Sequence, residues 1–88
     1  MQFSVLLSVY RKEKPEYLKM SLESIRLQTV EPDEIILIED GVLTKELYLV
    51  IEEYLKVLPN MRVYKFDENK GLGLALRKGV ELSRYELV

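Results

Sequence analysis

Eighty-eight residues make room for one domain with a limited core. At 48% hydrophobic and 32% charged residues the chain is globular, too apolar for disorder. A formal net charge of -2 offers no basic face for nucleic acid, and zero cysteines and histidines remove disulfides, most zinc sites, cysteine nucleophiles and any Ser-His-Asp triad.

The first predicted element is a strand over Phe3 to Tyr10, a nearly unbroken apolar run that stops at a Ser-Val-Tyr tip. No apolar stretch approaches the roughly 20 residues of a membrane span, and no basic segment precedes this run as in a signal peptide. A cytoplasmic chain is the expectation, with membrane association left to the longer parent protein. Arg11-Lys-Glu-Lys14 is a charged loop, and Pro15 suits the first turn of a helix that runs to about Gln28. Leu18, Leu22 and Ile25 form its apolar stripe. Pro32 marks a turn, and Glu34 to Glu39 is a second strand whose Ile-Ile-Leu-Ile centre calls for cover on both faces.

Asp40 to Leu43 is a loop, Thr44 is an N-cap, and Glu46 sits favourably in the first turn of the next helix. Leu47, Val50, Ile51, Tyr54, Leu55 and Leu58 follow helical spacing, and Pro59-Asn60 ends the helix. Arg62 to Phe66 is a shorter, more polar strand, placed near a sheet edge. A third helix from about Gly71 to Ser83 is expected to bury Leu72, Leu76, Val80 and Ala75, and Tyr85 to Val88 opens a fourth strand. The order β-α-β-α-β-α-β predicts a single α/β domain over residues 1–88: a mostly parallel open sheet with helices on both faces. No repeat, low-complexity segment or dividing linker interrupts it.

Open parallel sheets bind ligands at the carboxyl edge of their strands. Three constellations fall there. Ser8 and Tyr10 end the first strand; the ring suits a nucleobase or sugar, or simply closes the core. Glu39-Asp40-Gly41 ends the second. One carboxylate can accept from a base N–H or a sugar hydroxyl, or the segment is an Asp-Gly turn. Neighbouring strand residues point to opposite faces, which disfavours a shared two-carboxylate site. Asn69-Lys-Gly-Leu-Gly73 opens the third helix, where backbone N–H groups and Lys70 can hold a phosphate. It follows the third strand rather than the first and carries Leu76 where a dinucleotide fingerprint needs Gly or Ala; the alternative is a glycine-rich helix start packed tightly on the sheet. Arg77 is a candidate for a diphosphate contact. Arg11, Lys12 and Lys14 read as a solvated face, and Tyr48, Tyr54 and Tyr64 as core or helix-face residues.

Taken together, these segments resemble the amino-terminal, Rossmann-like half of a family 2 glycosyltransferase of the GT-A fold. The resemblance rests on Phe3-Ser-Val-Leu-Leu-Ser-Val-Tyr10, on Tyr17 to Ile25 followed by Gln28-Thr29, on Pro32 to Gly41 with its acidic pair, and on Asn69-Lys-Gly71 with Ala75 and Gly79. Arg77 stands where that pattern has Asn. The nearest subgroup is bacterial enzymes that build exopolysaccharide or lipopolysaccharide. The resemblance implies an inverting transfer from an NDP-sugar, expected to be a UDP-sugar, to a growing saccharide or lipid-linked acceptor. It implies nucleotide-site roles for Ser8, Tyr10, Asp40, Lys70, Gly71 and Arg77, with Asp40 bonding the base. It also implies that the Asp-x-Asp motif for Mg2+ or Mn2+, and the catalytic base, lie beyond Val88. No catalytic or metal residue is therefore expected in these 88 residues, and the piece is expected to be inert alone. The competing expectation is a non-catalytic α/β interaction module. In either case an exposed sheet edge is expected to favour self-association.

Overall fold

The computed structural model describes residues 2–87. Strands β1 (Phe3–Val9), β2 (Glu34–Glu39), β3 (Met61–Lys65) and β4 (Glu86–Leu87) alternate with helices α1 (Pro15–Arg26), α2 (Lys45–Val57) and α3 (Leu72–Leu82). The sheet order is β3-β2-β1-β4, and every pairing is parallel. The expected α/β architecture is therefore present, with β3 on an edge. Val88, the last residue of the expected fourth strand, lies outside the described residues.

The apolar pattern of β2 explains its central place. Side chains alternate across a strand, and all six of its residues are buried. Ile35 and Leu37 join Val9, the α1 stripe of Leu18, Leu22 and Ile25, and Leu47, Ile51 and Tyr54 of α2. Ile36 and Ile38 turn to the other face, against Ala75 of α3. Thus α1 and α2 cover one face and α3 covers the other. Element ends differ from expectation by a residue or two. Strand β1 stops at Val9, α1 ends at Arg26 with the Leu27 N–H on the Glu23 carbonyl, and β3 begins one residue early.

The buried face of α3 departs further from its reading. Leu72, Leu76 and Val80 are 62%, 39% and 58% exposed, whereas Ala75 is fully buried and Gly79 is buried with it. The cause is steric. At Gly79 the helix lies so near β1 that an added Cβ would overlap the Leu6 side chain. The small residues set the contact, and the large ones are turned outward. The tight glycine is Gly79 and not the helix start: an added Cβ at Gly71 or Gly73 would meet open space.

The amino edge of the sheet holds a buried charge absent from the sequence reading. Glu34 is 0% exposed. Its carboxylate accepts from the Ser4 hydroxyl (2.9 Å), Arg62 Nη2 (2.7 Å), and the backbone N–H and Nε of Arg84 (both 3.0 Å). Burial pushes this carboxyl up, but the Arg84, Ser4 and Arg62 donors outweigh it and hold it at about 2. A charge alternating with buried isoleucines was the available signal, because such a group requires partners.

Candidate active site

The strand order places a topological switch at β1. Successive strands run outward from β1 to β3, and the chain then returns to pair β4 with the opposite side of β1. Crevices form outside the carboxyl ends of strands at such a switch. Here the tips are in register, with Val9 opposite Glu39, and the Asp40 N–H donates to the Val9 carbonyl at 2.8 Å. Tyr10 and Asp40 are consequently neighbours.

Two connected hollows open at this edge. One, of about 410 Å³, is lined by Ser8, Tyr10, Glu13, Asp40, Asn69, Gly71 and Leu72. The other, of about 590 Å³, shares Tyr10, Asp40 and Asn69 and adds the Arg11-Lys12 loop, the Gly41–Thr44 turn and Asp67-Glu68. Ser8 is half-buried, and the Tyr10 side chain is 44% exposed, leaving ring surface for a ligand.

Asp40 is 4% exposed, and its two carboxylate oxygens accept the backbone N–H groups of Lys70 (2.7 Å) and Gly71 (3.0 Å). The carboxylate thereby ties the tip of β2 to the loop before α3. A carboxylate has about four lone-pair sites, so acceptor capacity remains for a ligand donor. Gly41 and Gly71 have φ of +91° and +92°, a region L side chains rarely adopt. At Gly41 an added Cβ would also sit 2.7 Å from the Asn69 nitrogen, so the loop packs directly on the turn.

Of the six nucleotide-site residues expected from sequence, Ser8, Tyr10, Asp40 and Gly71 line one hollow. Lys70 takes part through its backbone, while its ammonium lies 5.2 Å from the Phe66 ring centre. Arg77 is exposed on α3 and lines neither hollow. At 1.5 Å rise per residue it stands about 9 Å along the helix from Gly71. Asn69 entered the sequence reading only as part of the loop motif, with no role, although it borders both hollows, and Arg11 and Lys12 were expected to be solvated. Only the spatial return of the 67–71 loop reveals their place.

The acidic pair divides as alternation requires. Burial raises the Glu39 carboxyl, opposed by nearby Lys65. Among the described residues, no group of three or more His, Cys, Asp or Glu side chains could hold a metal ion. The described residues do not fit a metal. Tyr48, Tyr54 and Tyr64 are structural. The Tyr48 hydroxyl accepts from the Leu43 N–H, buried Tyr54 donates to Glu23, and Tyr64 packs edge-on against Phe66. Arg26 and Tyr54 hold the Glu23 carboxyl at about 2. Glu23, Arg26 and Tyr54 line a separate, larger groove between α1 and α2 that shares no lining residue with the two hollows at the strand tips. Among the described residues no helix is long and apolar enough to cross a membrane.

Residues 4–88 match the glycosyl transferase family 2 profile. An uncharacterized glycosyltransferase of Haemophilus influenzae is 43% identical over 88 residues, all of this chain and 33% of that protein. The UDP-Gal:alpha-D-GlcNAc-diphosphoundecaprenol beta-1,3-galactosyltransferase of Escherichia coli is 41% identical over 99% of this chain and 31% of its own length. The amylovoran biosynthesis glycosyltransferase AmsE of Erwinia amylovora is 42% identical over 98% and 32%. The chain thus spans about a third of the length of these relatives. Among solved structures, Staphylococcus aureus TarS matches all of this chain and 16% of its own, with a TM-score of 0.80 and 25% identity. The Pyrobaculum calidifontis mannosyltransferase PcManGT, solved with GDP-Man and Mn2+, matches 93% of this chain and 24% of its own, with a TM-score of 0.68. At 14% identity that likeness concerns the fold, which is the GT-A fold. A match that begins in β1 and runs through all the strands and helices leaves no element outside it: the chain belongs to glycosyl transferase family 2.

Proposed function

We propose that this chain forms the nucleotide-binding part of an inverting glycosyltransferase, one that takes a sugar from a UDP donor and adds it to a growing saccharide or lipid-linked acceptor. The observation that carries this reading is the meeting of Ser8, Tyr10, Asp40 and Gly71 at one hollow on the carboxyl edge of β1 and β2. The chemistry suits a nucleotide. Tyr10 offers a π-face, the Ser8 hydroxyl can bond a ribose, and Asp40 accepts a base N–H while its other lone pairs hold the loop. Two similar proteins are named for biosynthetic glycosyl transfer, one from UDP-Gal. Lys70 and Gly71 serve this site as backbone, and Arg77 would act only on a ligand that extends along α3.

Transfer of the sugar requires a leaving diphosphate to be neutralised and an acceptor hydroxyl to be deprotonated. No described group is placed for either task, so these 88 residues alone are expected to bind donor without turning it over. Mg2+ or Mn2+ binding belongs to the longer parent in this reading, as do the acceptor, a cytoplasmic site of action and any membrane association.

A titration with UDP followed by amide NMR tests the reading. Shifts should move at Ser8, Tyr10 and Asp40, and Tyr10→Ala should weaken them without disturbing the Asp40 hydrogen bonds. Unmoved shifts at millimolar UDP would reject the nucleotide site and favour a non-catalytic interaction module.

A further inference from the structure

The two hollows at the strand tips differ in charge and in lining. The one that holds Ser8 and Gly71 has no cationic side chain and carries the carboxylates of Glu13 and Asp40, and an added Cβ at Gly71 would meet open space. It lies between the tip of β1 and the start of α3. The other holds Arg11 and Lys12 together with Asp40, Asp67 and Glu68, over the apolar Val42 and Leu43. Its two cations do not outnumber its carboxylates, so the hollow has no surplus charge for a diphosphate. Alternating donors and acceptors beside apolar side chains instead suit a flat, neutral, polar ring.

Arg11 and Lys12 are also uncommitted. Among the described residues Arg26, Arg62, Lys78 and Arg84 are salt-bridged, whereas Arg11 and Lys12 have no ion-pair partner. Both are exposed at the mouth of the hollow, next in sequence to the Tyr10 ring.

We propose that Arg11 and Lys12 determine base specificity, donating hydrogen bonds to the ring carbonyl oxygens of a uracil whose N–H is accepted by Asp40. The assignment rests on the nucleotide reading above and deepens it. A carboxylate alone selects any base with a ring N–H. Uracil places a carbonyl on each side of that N–H, and both carbonyls require donors. Cytosine keeps one of the two carbonyls but turns an amino group toward the other cation and an unprotonated nitrogen toward Asp40, leaving one donor facing a donor and one acceptor facing an acceptor.

The test compares uridine, UDP, cytidine and CDP binding to the wild-type chain and to the Arg11→Ala/Lys12→Ala variant by amide NMR. Both side chains are exposed in a turn, and an unchanged circular dichroism spectrum would confirm the fold. The expected result is a loss of about tenfold in affinity, equal for uridine and UDP, with the preference for uridine over cytidine reduced to the part that Asp40 still supplies by rejecting the unprotonated ring nitrogen of cytosine. A loss confined to UDP would mean that the cations serve the phosphates, and overturns the proposal. Unchanged uridine affinity overturns it too, while the nucleotide reading stands. Failure of the wild type to bind uridine or UDP would remove the nucleotide reading and this proposal with it.

Discussion

Replacing Asp40 with Ala removes the acceptor of two backbone N–H groups. Each lost charge-assisted bond costs about 1.5–3 kcal/mol where the donor stays buried, and less where water replaces it. Lys70 is exposed and Gly71 half-buried, so a total near the low end is expected, about 2 kcal/mol. Urea unfolding measures it, and amide exchange at Lys70 and Gly71 should speed up. Asp40→Asn should fall between Ala and wild type, because one carboxamide oxygen accepts while the NH2 faces a donor. Asp40 was legible as a polar strand tip because it follows a buried strand and precedes a glycine. Its backbone partners were not, since they lie thirty residues on and no local pattern encodes that return. Glu34 illustrates the opposite failure. It read as a strand start, yet it is buried and held at about 2, well below its ordinary 4.5. A lowered carboxyl stabilises fully above its unfolded value, and that contribution fades as pH falls from about 4.5 toward 2. Unfolding midpoints should therefore drop across that window, and Glu34→Gln should flatten the drop. Breaking a buried ion pair costs about 3–5 kcal/mol, and the half-exposed Arg62 and exposed Arg84 can rehydrate, so about 3 kcal/mol is expected at neutral pH.

Elements were read more reliably than their orientations. Helix α2 begins at Thr44, whose hydroxyl oxygen accepts the Leu47 N–H at 3.3 Å, as its residue type suggested. Thr44→Ala should cost about 1 kcal/mol in thermal or urea unfolding. Periodicity placed α1 and α2 correctly because both stripes are large and apolar. It misled on α3, where two apolar stripes compete. The stripe with more hydrophobic surface lost to the one with less volume, since close approach to β1 admits only Ala75 and Gly79. Gly79→Val should therefore destabilise by about 1–3 kcal/mol through overpacking against Leu6, whereas Leu76→Gln on the same helix should fall within about 0.5 kcal/mol of wild type.

For the molecule as a whole, the outward residues Leu72, Leu74, Leu76 and Val80 leave an apolar stripe along α3, beside the short edge strand β4. Such surface favours association. The apparent mass of the chain should rise with concentration in light scattering, and Leu76→Lys with Val80→Lys should suppress the rise. A constant monomer mass into the millimolar range would refute this. The order of strands and helices was legible from alternation alone, because buried parallel strands must be continuous and crossovers must be helical. Which residues crowd around a strand tip depended on the strand order, which no single segment carries. Strand β2 is flanked by two tied carboxylates: Glu34 joins Ser4 and two arginines at one end, and Asp40, one residue past the other, holds the loop before α3. Six residues of extended chain set them about 20 Å apart. Mutational effects more than about 10 Å apart usually add. Substitutions around Asp40 can thus be made while the Glu34 end is left untouched, and losses of stability incurred there can be recovered by strengthening the far end.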